Sequence, residues 1–98
     1  VPGAPPIKVE TSATFDLSEK KVYDDQTADA ATITLSGLEA GVEFYIYLDR
    51  ASMPSFSGAT DKQIPGTQSF IANTPMVLYG IVRPNKTTFD YSLTELAP

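Results

Sequence analysis

The stretch EFYIYLDR, Glu43–Arg50, decides the fold class of this chain because apolar residues alternate in it with polar or amphipathic ones. Successive side chains of a β-strand point to opposite faces of the sheet, so this period of two predicts a strand with one buried face. The predicted inner face carries Phe44, Ile46 and Leu48. The predicted outer face carries Tyr45 and Tyr47, flanked by charge. Tyrosine offers wide apolar contact and a hydroxyl that hydrogen-bonds at a wet edge, so this pair is a candidate interface.

The same alternation recurs along the chain, in IKVETS (7–12), ATFDLS (13–18), AATITLS (30–36) and TTFDYSLTEL (87–96). MVLYGIVR (76–83) is apolar almost throughout, which predicts a central strand covered on both faces. No segment of helical length has apolar residues at i, i+3, i+4 and i+7. Six to eight short strands punctuated by turns predict an all-β fold, an antiparallel β-sandwich of jelly-roll or immunoglobulin-like type.

The first six residues, VPGAPP, differ in composition from the rest of the chain. Proline lacks a backbone donor and fixes φ, so this segment cannot join a central ladder. We expect residues 1–6 to form an extended proline-rich arm and residues 7–98 to form a single domain. The arm is either a frayed terminus or a segment that lies across a neighbouring subunit through Pro2, Pro5 and Pro6.

The segment RASMPSFSGATDKQIPG (50–66) shows no clear period and is predicted to be a long loop. Loops of this length in compact domains are uncommon and often functional. Met53 and Phe56 are apolar residues in this polar surrounding, which makes them candidate docking anchors. The alternative is that both side chains fold back over the open end of the sandwich.

Composition excludes most catalytic chemistry in this 98-residue chain, because it contains neither histidine nor cysteine. Disulfides, cysteine nucleophiles, Ser-His-Asp triads and nearly all transition-metal sites are therefore excluded. We expect no catalytic residue, no cofactor and no small-molecule substrate. The net charge of −5 and the seven scattered Lys and Arg residues argue against nucleic-acid binding. No apolar run approaches the ~18 residues of a membrane span, so we expect no membrane partner.

Three aspartates, Asp24, Asp25 and Asp29, crowd one predicted turn. Carboxylate oxygens are ligands that calcium prefers, but the spacing lacks the Gly at position six and the Glu at position twelve of an EF-hand loop. Two interpretations stay open at this point: a solvated turn and a calcium site.

Several short motifs between residues 44 and 96 resemble the small all-β head decoration, or cement, proteins of tailed bacteriophages. The matching pieces are Tyr45–Leu48, Pro65-Gly66, Leu78–Ile81 and Glu95-Leu96. The resemblance implies a non-enzymatic structural protein of the virion that binds the outer surface of the capsid and stabilises it by bridging coat subunits. It further implies the major capsid protein as partner and a homotrimer as the assembly.

On this hypothesis, Tyr45 and Tyr47 supply contacts within the trimer. Met53, Phe56 and the proline arm supply the contacts with the shell.

A second resemblance leads to a different class of function. GVEFYIYLD (41–49) and the later VLYGIVRPNKTTFDYSLTEL (77–96) are similar to pre-peptidase C-terminal modules of secreted bacterial enzymes. That resemblance implies a secreted accessory or carbohydrate-binding module, in which the same two tyrosines would stack on sugar rings.

Overall fold

The computed structural model describes residues 7–96 as nine β-strands without a helix. The strands are β1 Ile7–Glu10, β2 Thr14–Asp16, β3 Val22–Asp25, β4 Thr32–Ser36, β5 Glu43–Leu48, β6 Ser55–Ser57, β7 Thr60–Gln63, β8 Met76–Val82 and β9 Thr88–Glu95. The predicted arm, residues 1–6, lies outside the described residues, as do residues 97–98. Within the described range, no helix is long and apolar enough to cross a membrane.

The strands form one large and one small sheet, with orders β1-β3-β5-β8-β9-β7 and β2-β4-β6. The first six strands alternate between the two sheets, so neighbours within a sheet are two strands apart in sequence and run parallel. The β7–β9 pair is also parallel, whereas β5–β8 and β8–β9 are antiparallel. The predicted all-β class is confirmed, but the predicted antiparallel pairing is wrong for most strands. Alternation of apolar and polar residues indicates which face of a strand is buried, but it is the same in parallel and antiparallel strands and so does not predict strand direction.

Both sheets contribute side chains to one hydrophobic cluster. In β5, Phe44, Ile46 and Leu48 are buried and the residues between them are exposed, which confirms the inner face predicted from the sequence. The rings of Phe15 and Tyr23 stack with centroids 4.6 Å apart and thereby join β2 of the small sheet to β3 of the large one. The inner side of the large sheet is therefore occupied by core packing, and the alternate residues of β5 on its outer side are exposed.

Strand β8 lies between β5 and β9, as expected for a central strand. Its inner residues Met76, Leu78 and Val82 are buried, but its outer residues Val77, Tyr79 and Ile81 are only half-buried. The prediction that both faces of β8 are covered is therefore wrong for the outer face. The outer positions are apolar, yet no described element packs over them.

The segment 50–66 is not a single long loop. It contains β6, which pairs with β4 in the small sheet, and β7, which pairs with β9 at the edge of the large sheet. Neither strand shows apolar alternation, because β6 (SFS) contains one apolar residue and β7 (TDKQ) contains none. They account for a total of nine strands where six to eight were expected.

Candidate binding face

The outward side chains of β1, β3, β5 and β8 form two adjacent rows across the large sheet. The strand registers place Ile7, Val22, Tyr45 and Tyr79 in one row. The second row contains Val9, Asp24, Tyr47 and Val77. Seven of these eight residues are apolar or aromatic, and we call the two rows together the tyrosine face.

Four members of the tyrosine face are well exposed: Val9 at 60%, Tyr45 at 42%, Ile7 at 39% and Tyr47 at 38%. An aromatic side chain carries roughly 150–250 Å² of surface, so the two rings leave on the order of 120–200 Å² in solvent. With Ile7 and Val9 added, the apolar area reaches on the order of 300 Å², the size at which a monomer's largest patch is often functional. The tyrosine pair predicted from the sequence is thus exposed and belongs to a larger apolar surface.

Tyr79 lies at the β8 end of the first row, although the sequence interpretation did not select it. Its ring lies 5.3 Å from that of Tyr45, tilted by 50°. Its hydroxyl donates a 2.6 Å hydrogen bond to Oε1 of Glu43. This bond to a carboxylate and, to a smaller extent, desolvation raise the pKa of Tyr79 to about 12, because both favour the neutral phenol. The bond fixes the Tyr79 ring, which in turn supports the ring of Tyr45.

Two carboxylates accompany the tyrosine face. Asp24 lies between Val9 and Tyr47 in the second row, and its Oδ1 accepts a 3.0 Å hydrogen bond from Nε2 of Gln26. Glu43 lies at the end of the face and accepts the Tyr79 hydroxyl. Among residues 7–96 neither carboxylate forms an ion pair with a Lys or Arg side chain. The face therefore offers apolar contact together with acceptors for a positively charged group.

The predicted docking anchors do not belong to this face. Met53 and Phe56 are half-buried and pack against the core cluster, and Phe56 meets Phe89 edge-on at 5.4 Å. This placement agrees with the alternative in which the two side chains fold back over the core. Their role in docking stays a prediction. Pro2, Pro5 and Pro6 lie outside the described residues.

The three crowded aspartates do not converge on one point. Asp24 points outward from β3, whereas Asp25 points inward and is only 2% exposed in its side chain. Asp25 Oδ2 lies 2.7 Å from Nη1 of the buried Arg50, while Asp29 Oδ1 lies 3.7 Å from its Nε. Nowhere in residues 7–96 is there a group of three or more His, Cys, Asp or Glu residues suited to a metal ion. The structure therefore assigns Asp25 to an ion pair.

Arg50 forms the centre of a polar clamp. Besides Asp25, its guanidinium donates a 3.0 Å bond to the Ser52 carbonyl and another bond to the Ala30 carbonyl. Asp25 also accepts bonds from the backbone N and the hydroxyl of Thr27. An open polar pocket of about 230 Å³ adjoins the clamp. Through these bonds Arg50 holds the end of β5 against the β3–β4 turn.

Comparisons with models of known protein families, with curated proteins and with solved structures gave no match for this chain. They add neither a family nor a functional residue to the description of the tyrosine face. Function is therefore argued from the geometry of that face.

Proposed function

We propose that this chain is a non-catalytic structural protein that binds another protein surface through the tyrosine face. In its specific form, the proposal is a decoration protein on the outer surface of a phage head, with the major capsid protein as partner. The observation that carries the proposal is the exposure of Tyr45 and Tyr47 within two adjacent rows in which seven of eight side chains are apolar or aromatic. The choice of a capsid as the surface follows from the resemblance of residues 44–96.

The tyrosine face has the physical properties of a binding surface. Its rings are held in place by the Tyr45–Tyr79 contact and by the Glu43 hydrogen bond, so little side-chain entropy is lost on binding. A patch of this size supports only a weak contact per copy. Many copies that bind one shell, each across neighbouring coat subunits, would together stabilise the assembled state by mass action.

The proposal also includes a β-sandwich arrangement of the two sheets and a location on the virion surface. The shared core supports the sandwich, because buried residues of both sheets belong to one cluster. The homotrimer implied by the resemblance belongs to the same proposal. The tyrosine face is assigned here to the capsid and no longer to contacts within the trimer, because Met53 and Phe56 pack against the core. A sugar-binding module is the alternative proposal, in which the exposed rings of Tyr45 and Tyr47 would stack on sugar rings.

The test replaces both exposed tyrosines with threonine, which retains β-propensity while removing the rings. The matched control is Ile71→Thr, since Ile71 is 37% exposed and Tyr47 is 38% exposed. Binding is measured by co-sedimentation with capsids assembled from the major coat protein of the same genome. We expect the wild type and the control to bind and the Tyr45→Thr/Tyr47→Thr variant to bind at least about tenfold more weakly, about 1.4 kcal/mol.

Three results would contradict parts of this proposal. If the wild type stays in the supernatant at every capsid concentration, the decoration role is wrong. If both variants bind like the wild type, the tyrosine face is not the binding surface. If the wild type instead sediments with an insoluble polysaccharide and the double variant does not, the sugar-binding interpretation replaces the capsid one.

A further inference from the structure

The large sheet ends at β1, and no other strand among residues 7–96 pairs with the outer edge of β1. In the parallel ladder with β3, the Glu10 carbonyl accepts a bond from the Gln26 backbone N. In a parallel strand, the N–H and C=O groups of one residue both point to the strand on one side, and those of the next residue both point to the other side. The N–H and C=O groups of Glu10 and Lys8 therefore point to β3, and those of Ile7 and Val9 point to the open edge. An added strand would find these groups ready to pair.

The side chains of β1 also divide into two kinds. Ile7 and Val9 lie on the tyrosine face, and Val9, at 60% exposed, is the most exposed large hydrophobic residue in the described chain. Lys8 and Glu10 lie on the other side, with Lys8 Nζ 3.3 Å from Glu10 Oε1 and 3.0 Å from Glu19 Oε1. A strand that pairs with β1 must therefore present apolar groups on one face and complementary charges on the other.

We infer that β1 pairs with the β1 strand of a second copy of this chain, antiparallel, across a two-fold axis at Val9. This register makes the two Val9 residues a hydrogen-bonded pair, which uses the backbone groups that point to the open edge. It also places Lys8 of each copy directly opposite Glu10 of the other.

Two neighbouring registers can be excluded by charge. An axis at Lys8 would oppose two ammonium groups, and an axis at Glu10 would oppose two carboxylates, and like charges directly across a ladder are destabilising. A register in which the axis passes between two residues would place the outward-pointing backbone groups of one copy opposite groups that are already bonded to β3 in the other copy. The sequence IKVE is therefore self-complementary in the register centred on Val9.

This pairing would join the large sheets of two copies edge to edge. Ile7 and Val9 form the end of the tyrosine face, so the faces of the two copies would meet at the axis. The combined apolar surface would be on the order of 600 Å², twice that of one copy. The inference rests on β1 alone. It holds or fails independently of the capsid partner, but it competes with the homotrimer implied by the resemblance, and the mass in solution decides between the two assemblies.

The test is a charge exchange measured by sedimentation equilibrium. We expect the wild type to reach twice the 10.6 kDa mass of one chain as concentration rises. Lys8→Glu and Glu10→Lys should each weaken the dimer at least about fivefold, because both cross-strand pairs become repulsive. An equimolar mixture of these two variants should dimerise again, since the substituted carboxylates of one face the ammonium groups of the other. A structural role of Lys8 within one chain would not produce this recovery.

A backbone variant supplies the second measurement. Val9→Pro removes only an N–H that points to the open edge, so the β1–β3 ladder stays intact and the dimer should be lost. Thermal unfolding checks that each variant is folded. The inference is overturned if the wild type keeps the mass of one chain at its highest soluble concentration, if it has the mass of three, or if mixing the charge variants restores nothing. A wild type that keeps the mass of one chain but still binds capsids would refute the inference and leave the proposed function standing.

Discussion

Replacing Arg50 with methionine removes the positive charge from the polar clamp while keeping a long apolar side chain. The guanidinium of Arg50 is 3% exposed and the carboxylate of Asp25 is 2% exposed, so the variant leaves an uncompensated carboxylate in the interior. Breaking a buried ion pair by removing one partner costs about 3–5 kcal/mol. The carbonyls of Ser52 and Ala30 also lose their donor, which places the expected loss towards the upper end of that range.

This loss is large in relation to the whole domain. Domains of this size have a free energy of unfolding of roughly 5–15 kcal/mol. Each ~1 kcal/mol lowers the melting temperature of such a domain by about 4–8 °C. We therefore expect Arg50→Met to lower it by at least about 12 °C, and urea unfolding followed by circular dichroism to show an earlier midpoint with an unchanged slope.

The chain contains a matched control in Arg83. Its guanidinium makes two bonds to the Asp90 carboxylate, of 2.9 and 2.6 Å, but the two side chains are 45% and 30% exposed. Exposed pairs contribute about 0–1 kcal/mol, so Arg83→Met should have little effect. In the double variant Asp25→Asn/Arg50→Met both charges are gone, and we expect it to be more stable than Arg50→Met alone. If Arg50→Met costs no more than Arg83→Met, the clamp does not stabilise the fold.

Gly80→Ala should destabilise the domain by about 1–3 kcal/mol, because the added Cβ would lie 2.7 and 2.9 Å from ring carbons of Phe44; an unchanged urea midpoint would contradict this packing. Glu43→Gln should lower the pKa of Tyr79 from about 12 towards the usual ~10 for tyrosine, read from tyrosine absorbance during an alkaline titration. Because the pKa of Tyr79 is higher in the folded than in the unfolded state, its protonated form stabilises the fold below pH ~10, and this stabilisation is lost as the pH rises towards 12. The wild type should therefore lose more stability than Glu43→Gln across that interval. Equal losses would contradict the Glu43 bond.

The sequence predicted the buried faces of β5 and β9 but not that of β1, whose apolar residues Ile7 and Val9 are exposed. It did not predict which strands are neighbours. The inner residues of β5 and β9 could be identified because burial on one side imposes a period of two. Strand order depends on how the chain crosses between the sheets, and alternation carries no record of it. Consequently Tyr45 and Tyr47 were recognised as an outward pair, whereas the membership of Ile7, Val9 and Tyr79 in the same surface required the registers.

The clamp illustrates a second limit. Arg50 follows β5 at a position typical of a solvated charge, and Asp25 belongs to a cluster that allowed a calcium interpretation. Their pairing joins residues 25 positions apart and depends on the parallel β3–β5 register. A charged residue is almost never fully buried without a partner. Each of the two residues, considered alone in the sequence, is therefore expected to be exposed. Only the fold shows that each supplies the other's partner.

The two tyrosines of EFYIYLDR occupy outward positions of β5, where threonine would also suit a strand and would expose less apolar surface. Core packing does not explain the presence of these tyrosines, because the core lies on the other side of β5. The Glu43–Tyr79 bond and the Tyr45–Tyr79 contact fix the positions of two rings on the outer side of the sheet. Fixing these rings adds little to the apolar area that the fold buries. An ordered apolar surface in solvent reduces the entropy lost on association. The arrangement is therefore more readily explained by binding than by folding, which supports the proposal that the tyrosine face is a binding surface.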